Sequence, residues 1–114
     1  MHELGVTFHI MDHIEKVAEE NDVSHVHKVV IELGEVSTVI ASYLQKCWTW
    51  AAKKRPIFEG CVLAIETLPA ITYCEACEQT YPTVPQGKIC PHCGSDKTYL
   101  VQGNECNIKE IEVE

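Results

Sequence analysis

A chain of 114 residues, 46% hydrophobic and 23% charged, is long enough for one domain with a small insert and too short for two independent cores. Its formal net charge of -8 argues against a nucleic-acid partner, which needs a basic surface, and no apolar run approaches the roughly 20 residues that cross a membrane. Seven cysteines are an odd number, four of them fall in C-x2-C pairs and no secretory leader is recognisable, so the expectation is a reduced, cytoplasmic compartment rather than a disulfide framework.

The first element reads as an amphipathic helix from about Leu4 to Glu20, with Leu4, Phe8, Met11, Ile14 and Val17 or Ala18 near helical period and Ile10 widening the stripe. Asn21-Asp22 supplies its stop. Val26 to Leu33 reads as a strand with Val29, Ile31 and Leu33 on one face, Lys28, Val30 and Glu32 on the other, and Gly34 at its end. Ser37 or Thr38 is the expected cap of a second helix running to about Lys53, whose Ile40, Tyr43, Leu44, Cys47, Trp48 and Ala51 give a broad apolar surface. The basic run Lys53-Lys54-Arg55 then suits the negative end of that helix. A second strand follows, in which Cys61, Leu63 and Ile65 alternate with Val62, Ala64 and Glu66.

Pro69 opens a segment punctuated by Pro82, Pro85, Gly87 and Pro91, which argues against a long regular element there. A last strand spans Asn107 to Val113, with Lys109, Ile111 and Val113 opposite Ile108, Glu110 and Glu112. The fold class is therefore α+β: two helices on one face of a three-stranded mixed sheet, with a zinc-ribbon-like domain inserted between the last two strands. The expected division is an α/β domain of residues 1–69 and 101–114, with residues 70–100 as the insert.

Inside that insert, Cys74-Glu-Ala-Cys77 and Cys90-Pro-His-Cys93-Gly94 carry the strongest local chemistry. Each C-x2-C pair bends two thiolates toward one metal, and four thiolates favour zinc over harder, oxygen-loving ions. A closed tetrathiolate leaves no water position, so the expected role of Zn(II) is structural; an iron centre, a redox dithiol and unligated cysteines are the alternatives. His92 sits within the second knuckle and reads as a surface residue rather than a replacement ligand. Cys47, Cys61 and Cys106 read as packed thiols, since free cysteine behaves as a small hydrophobe.

At the other end, Met1-His2-Glu3 could gather an amino terminus, an imidazole and backbone nitrogens around nickel or copper, although an early histidine is more often simply exposed. His9 and His13 share a helix side and, lacking an H-E-x-x-H pattern, read as solvent-facing. His25 and His27 share a strand face and have no assigned ligand role. No phosphate-binding glycine loop, paired catalytic carboxylates or nucleophilic triad is recognisable.

Met1-His2-Glu3-Leu4, Val30-Ile31-Glu32-Leu33-Gly34, the two cysteine pairs with Gly94-Ser95, and the terminal Ile108-Lys109-Glu110-Ile111-Glu112-Val113-Glu114 occur in one order. Together they make the whole chain resemble the HypA/HybF hydrogenase-maturation nickel metallochaperones. The resemblance implies an accessory protein rather than an enzyme, with a nickel-binding α/β part and a zinc-binding part. It implies His2 as principal ligand of a transferable Ni(II), with Met1 and Glu3 contributing through backbone or side chain, and Cys74, Cys77, Cys90 and Cys93 as ligands of structural Zn(II). The implied partners are a HypB-type GTPase, the nickel-iron hydrogenase large subunit precursor and, in some members, urease maturation proteins. A zinc-ribbon protein-interaction module without nickel transfer is the alternative. Gly5-Val6 departs from the usual Ser-Leu, and Gly5 weakens the first helical turn by roughly 1 kcal/mol relative to alanine.

Overall fold

The computed structural model describes residues 2–114. Helix α1 spans Glu3–Glu20; His2 is its N-cap, with Nδ1 accepting from the Leu4 N–H at 3.2 Å. It stops where Asn21 turns its N–H back to the carbonyls of Val17 and Ala18, and Asp22 takes a positive φ of 56°. The buried stripe is rotated from the expected one. Val6, Thr7, Ile10, Met11, Ile14 and Ala18 face the core, while Leu4 and Phe8 are half-exposed at its margin. Thr7 is tolerated inside because its hydroxyl donates to the Glu3 carbonyl at 2.9 Å, as helical threonines commonly do.

Strand β1 spans Val26–Gly34, helix α2 Ala41–Ala52, strand β2 Val62–Leu68 and strand β6 Cys106–Val113. They form a mixed sheet in the order β2-β1-β6, with β1 parallel to β2 through the α2 crossover and antiparallel to β6. Helices α1 and α2 cover one face. Two register shifts correct the simple alternation. Val30 pairs Glu110 but Ile31 pairs Ile108, so Lys109 is an extra residue and Ile108 and Ile111 both reach the core face. A second shift at His27 likewise lets Val26 and Val29 share that face.

Helix α2 begins later than its Ser37 or Thr38 cap would have it. Ile40 is the N-cap and offers no side-chain bond, while the Ser37 hydroxyl accepts from the Val39 N–H in a local turn. Of its apolar residues only Leu44, Trp48, Ala51 and Ala52 are buried. Trp48 anchors the core, edge-on to Phe58 at 5.6 Å and donating its indole N–H to the Cys61 carbonyl at 3.3 Å. Burial pushes the neighbouring Cys61 thiol up to about 11, although a bond with Trp48 acts the other way. A raised thiol pKa means that the folded chain holds its proton longer than the unfolded chain does. Stability is therefore full below the ordinary thiol value of 9 and falls as pH rises toward 11. Urea titrations across that window should show a loss on the order of 2 kcal/mol that Cys61→Ala removes; an unchanged alkaline slope in the variant would refute it.

Between β2 and β6 the chain builds a second, antiparallel sheet from β3 (Ile71–Cys74), β4 (Thr80–Pro82) and β5 (Thr98–Gln102), in the order β4-β3-β5, with a one-turn helix α3 at Thr83–Gln86. Among the described residues its own core cluster is Cys74, Tyr81 and Cys90, with Cys77 packed against them. The molecule is correspondingly long, 54 × 26 × 17 Å with a radius of gyration of 17.7 Å, against about 13 Å for a compact chain of this size. No helix among the described residues is long and apolar enough to cross a membrane.

Candidate metal centres

The turn between β3 and β4 and the loop between α3 and β5 supply two sulfurs each. The Cys74 carbonyl accepts from the Glu78 N–H and the Cys90 carbonyl from the Gly94 N–H, closing two equivalent knuckles. Each closes on a left-handed residue, Glu78 at φ 61° and Gly94 at φ 76°; only the second is a glycine, so the sequence announced only that one. Cys74 Sγ lies 3.6 Å from Cys93 Sγ, Cys77 Sγ lies 3.6 Å from Cys90 Sγ, and all four are within 4.8 Å of one another. A zinc ion with bonds of about 2.3 Å to four tetrahedral sulfurs requires sulfur separations of about 3.8 Å, so the cluster fits that ion.

The electrostatics favour thiolate at one corner first. Burial resists ionisation of Cys90, but the N–H groups of Cys93 and His92 and the neighbouring thiols outweigh it and draw Cys90 down to about 6. Burial leads in the opposite direction at Cys77, which is pushed up to about 12 with its partner thiols adding to the shift. Cys74 and Cys90 are buried while Cys93 is exposed, so the site is rooted in the small core and open on one side. His92 is exposed and reaches the cluster through its backbone N–H, which donates to Cys90 Sγ at 3.4 Å.

His2 and Glu3 sit in the α/β lobe at the start of α1. The His2 imidazole is exposed; accepting the Leu4 N–H commits Nδ1 as a lone-pair acceptor. The Glu3 carboxylate accepts from the Ile40 N–H at 3.1 Å, tying the first turn of α1 to the entry of α2. That bond is the first cause of its lowered pKa, followed by its own backbone N–H. The sequence offered no signal for this link, because it joins residues 37 positions apart. Met1 lies outside the described residues. His9 and His13 are exposed on α1, and among the described residues they join no three-ligand cluster. His25 instead bonds the Glu59 carbonyl at 2.7 Å and faces the Glu114 carboxylate, while His27 faces the carboxylate of Glu112 on β6.

A family model described as hydrogenase/urease nickel incorporation metallochaperone, HypA, matches residues 1–113. The chain belongs to the HypA family. It is 36% identical over 114 residues to the hydrogenase maturation factor HypA of Chlorobium phaeobacteroides and 31% identical to HybF of Klebsiella pneumoniae, in both cases over the full length of both chains. The solution structure of the nickel metallochaperone HypA from Helicobacter pylori superposes with a TM-score of 0.74 at 23% identity, over 99% of this chain and 97% of that one. A second HypA solution structure gives a TM-score of 0.77 at 22% identity, over 100% and 97%. The protein is thus a HypA-type maturation factor in nickel incorporation and not an enzyme, and its α+β fold with a zinc-ribbon-like insert is that of HypA.

Proposed function

We propose that this HypA-family protein captures Ni(II) at His2 and delivers it to the large subunit precursor of nickel-iron hydrogenase, with a HypB-type GTPase as its partner in the cytoplasm. Urease maturation proteins are a second class of client. The reading divides the chain into a nickel-binding lobe of residues 1–69 and 101–114 and a zinc lobe of residues 70–100. Nickel is the cargo, and zinc held by Cys74, Cys77, Cys90 and Cys93 is resident. A filled tetrathiolate supplies structure alone, whereas a terminal imidazole with backbone nitrogens from Met1 to Glu3 is a small, exposed donor set suited to release. The observation that carries this is the exposed His2 imidazole at the start of α1 in a chain whose residues 1–113 match a nickel-incorporation family.

The cap bond shapes the chemistry. Nickel bound through Nε2 leaves the Leu4 N–H in place, whereas nickel bound through Nδ1 must displace it and loosen the first turn, which Gly5 already weakens. Protons compete for the same imidazole, so capture weakens on acidification. His2→Asn separates the two roles, because asparagine is a good N-cap but a poor nickel ligand. By calorimetry it should lower nickel affinity at least about tenfold without lowering the melting temperature, with nickel transfer lost in parallel. Native nickel affinity in His2→Asn would exclude a His2-centred site.

A further inference from the structure

The outer face of α2 is unpartnered in a way that its sequence did not foretell. Tyr43, Cys47 and Trp50 form a stripe at helical spacing, and Tyr43 and Trp50 are 51% and 49% exposed. Leu4 and Phe8 of α1 border it, Trp50 standing edge-on to Phe8 at 6.3 Å. Two shallow grooves of about 260 and about 350 Å³ flank Trp50, one lined by Leu4, Lys46 and Cys47 and the other by Gln45, Thr49 and Lys53. Scattered apolar residues are normal on a surface, but a continuous aromatic seam between two helices is the form of an interaction site.

Its charge says what fits there. The segment from Val36 to Phe58 holds four of the nine basic residues of the chain and none of the 17 acidic ones. Lys46 lies 6.0 Å from the centre of the Tyr43 ring and Lys54 lies 4.9 Å from that of Trp50, so both cations are held beside the seam. Among the described residues Lys46, Lys53 and Lys54 make no ion pair; Asp12 and Glu15 are taken by Arg55 and Glu3 by the Ile40 N–H, while Glu59 shares a groove with Lys53 and Lys54 on the side away from Tyr43 and Cys47. A seam of aromatic residues with a lysine rim is locally complementary to an acidic amphipathic helix, and the lysines must act against the net charge of -8 of the whole chain.

We propose that the outer face of α2 docks an acidic amphipathic helix of a partner protein, laid along Tyr43, Cys47 and Trp50 with its carboxylates on Lys46, Lys53 and Lys54. The seam ends at Leu4, two residues from His2, so the bound partner lies beside His2. Docking itself does not depend on His2; only its use in nickel delivery rests on the function proposed above.

The test uses the full-length protein and two synthetic peptides of about 18 residues, each with leucines at helical spacing, one carrying glutamates and the other lysines between them. The acidic peptide should bind saturably, shift Trp50 emission to the blue and bind more weakly as salt rises; the basic peptide should not bind. Lys46→Glu with Lys53→Glu, and separately Tyr43→Ser with Trp50→Ser, should each weaken calorimetric binding at least about tenfold while the near-ultraviolet signal of buried Trp48 persists. His2→Asn should bind the peptide like the native chain, so failure of the nickel site and failure of the docking face are read separately. Equal binding of both peptides, or of neither, overturns the proposal. So does a dimer of the protein alone that Tyr43→Ser with Trp50→Ser dissolves, which would assign the face to a second copy of this chain.

Discussion

Cys74→Ser should empty the four-thiol site and unfold the small lobe while the α/β lobe stays folded. Structural zinc contributes apparent energies of about 10–16 kcal/mol at neutral pH, and the lobe has little to set against its loss. Its core is Cys74, Tyr81 and Cys90, of which two belong to the four-thiol cluster proposed to hold zinc, so loss of that site should also loosen the core. The strands β3, β4 and β5 are short, and a sheet of that size without a hydrophobic face is marginal in water. The α/β lobe has an independent cluster around Met11, Ile31, Leu44, Trp48 and Phe58. Metal analysis should therefore find one zinc in the native chain and below about a tenth in the variant, and the Thr72 and Tyr81 amides should lose hydrogen-exchange protection while those of Val29 and Ile31 keep it. A serine variant in which Thr72 and Tyr81 remain protected would mean that the lobe is held by its hydrophobic contacts, and the structural role of zinc would fall. Cys77→Ser tests the same point from the half-exposed side of the cluster and should give the same result.

The lobes also explain what could be read without coordinates. Helical and strand periods give α1, β1, α2, β2 and β6 because each buries one face against a common core, and burial is what such periods record. The C-x2-C spacings give the four sulfurs for the same reason: two residues between ligands are a geometric requirement of the knuckle. What escaped was decided by contacts across the fold. The bulge at Lys109 puts Ile108 and Ile111 on one face, but only the facing residues Val30 and Ile31 reveal which residue is extra. Glu78 takes a left-handed conformation that nothing in its side chain announces, because its knuckle must close as the Gly94 knuckle does. The Glu3 bond to Ile40 cannot be inferred from either residue alone. On α2, apolarity marked Tyr43 along with Leu44 and Trp48 and passed over Trp50; the helix is apolar on more of its circumference than one core can cover, and the surplus became a surface.

Gly34→Ala should be the most damaging substitution outside the metal sites, with a loss above about 3 kcal/mol and a melting temperature lowered by more than about 10 °C. The alternation of β1 makes Gly34 look like a simple strand end, yet the chain leaving the small sheet crosses directly over it. A Cβ built there would stand 2.0 Å from the Gly103 carbonyl oxygen, 2.1 Å from its carbon and 2.6 Å from the Asn104 nitrogen, all backbone atoms that no rotamer change can move. Gly103 is held from the other side as well: its φ is 128°, and a Cβ on it would meet Ala70 at 2.6 Å. The crossing is fixed by bonds from the Gly34 N–H to the Glu105 carbonyl and from the Val36 N–H to the Gly103 carbonyl, each at 2.8 Å. The Glu35 carboxylate accepts from the Ala70 N–H at 2.9 Å, so the exit of β1 grips both chains that run to the small lobe. Relief of the clash must break this grip, which makes interlobe orientation and stability fail together. Gly5→Ala is the control, since a Cβ there meets nothing within 4 Å, and in a helix it should add roughly 1 kcal/mol. Thermal melts of both variants, with small-angle scattering to follow the 17.7 Å radius of gyration, measure the two consequences at once. A Gly34→Ala chain that melts within about 2 °C of the native protein would show that the strands at this crossing can part at little cost, and that the two lobes are joined by their covalent connections alone.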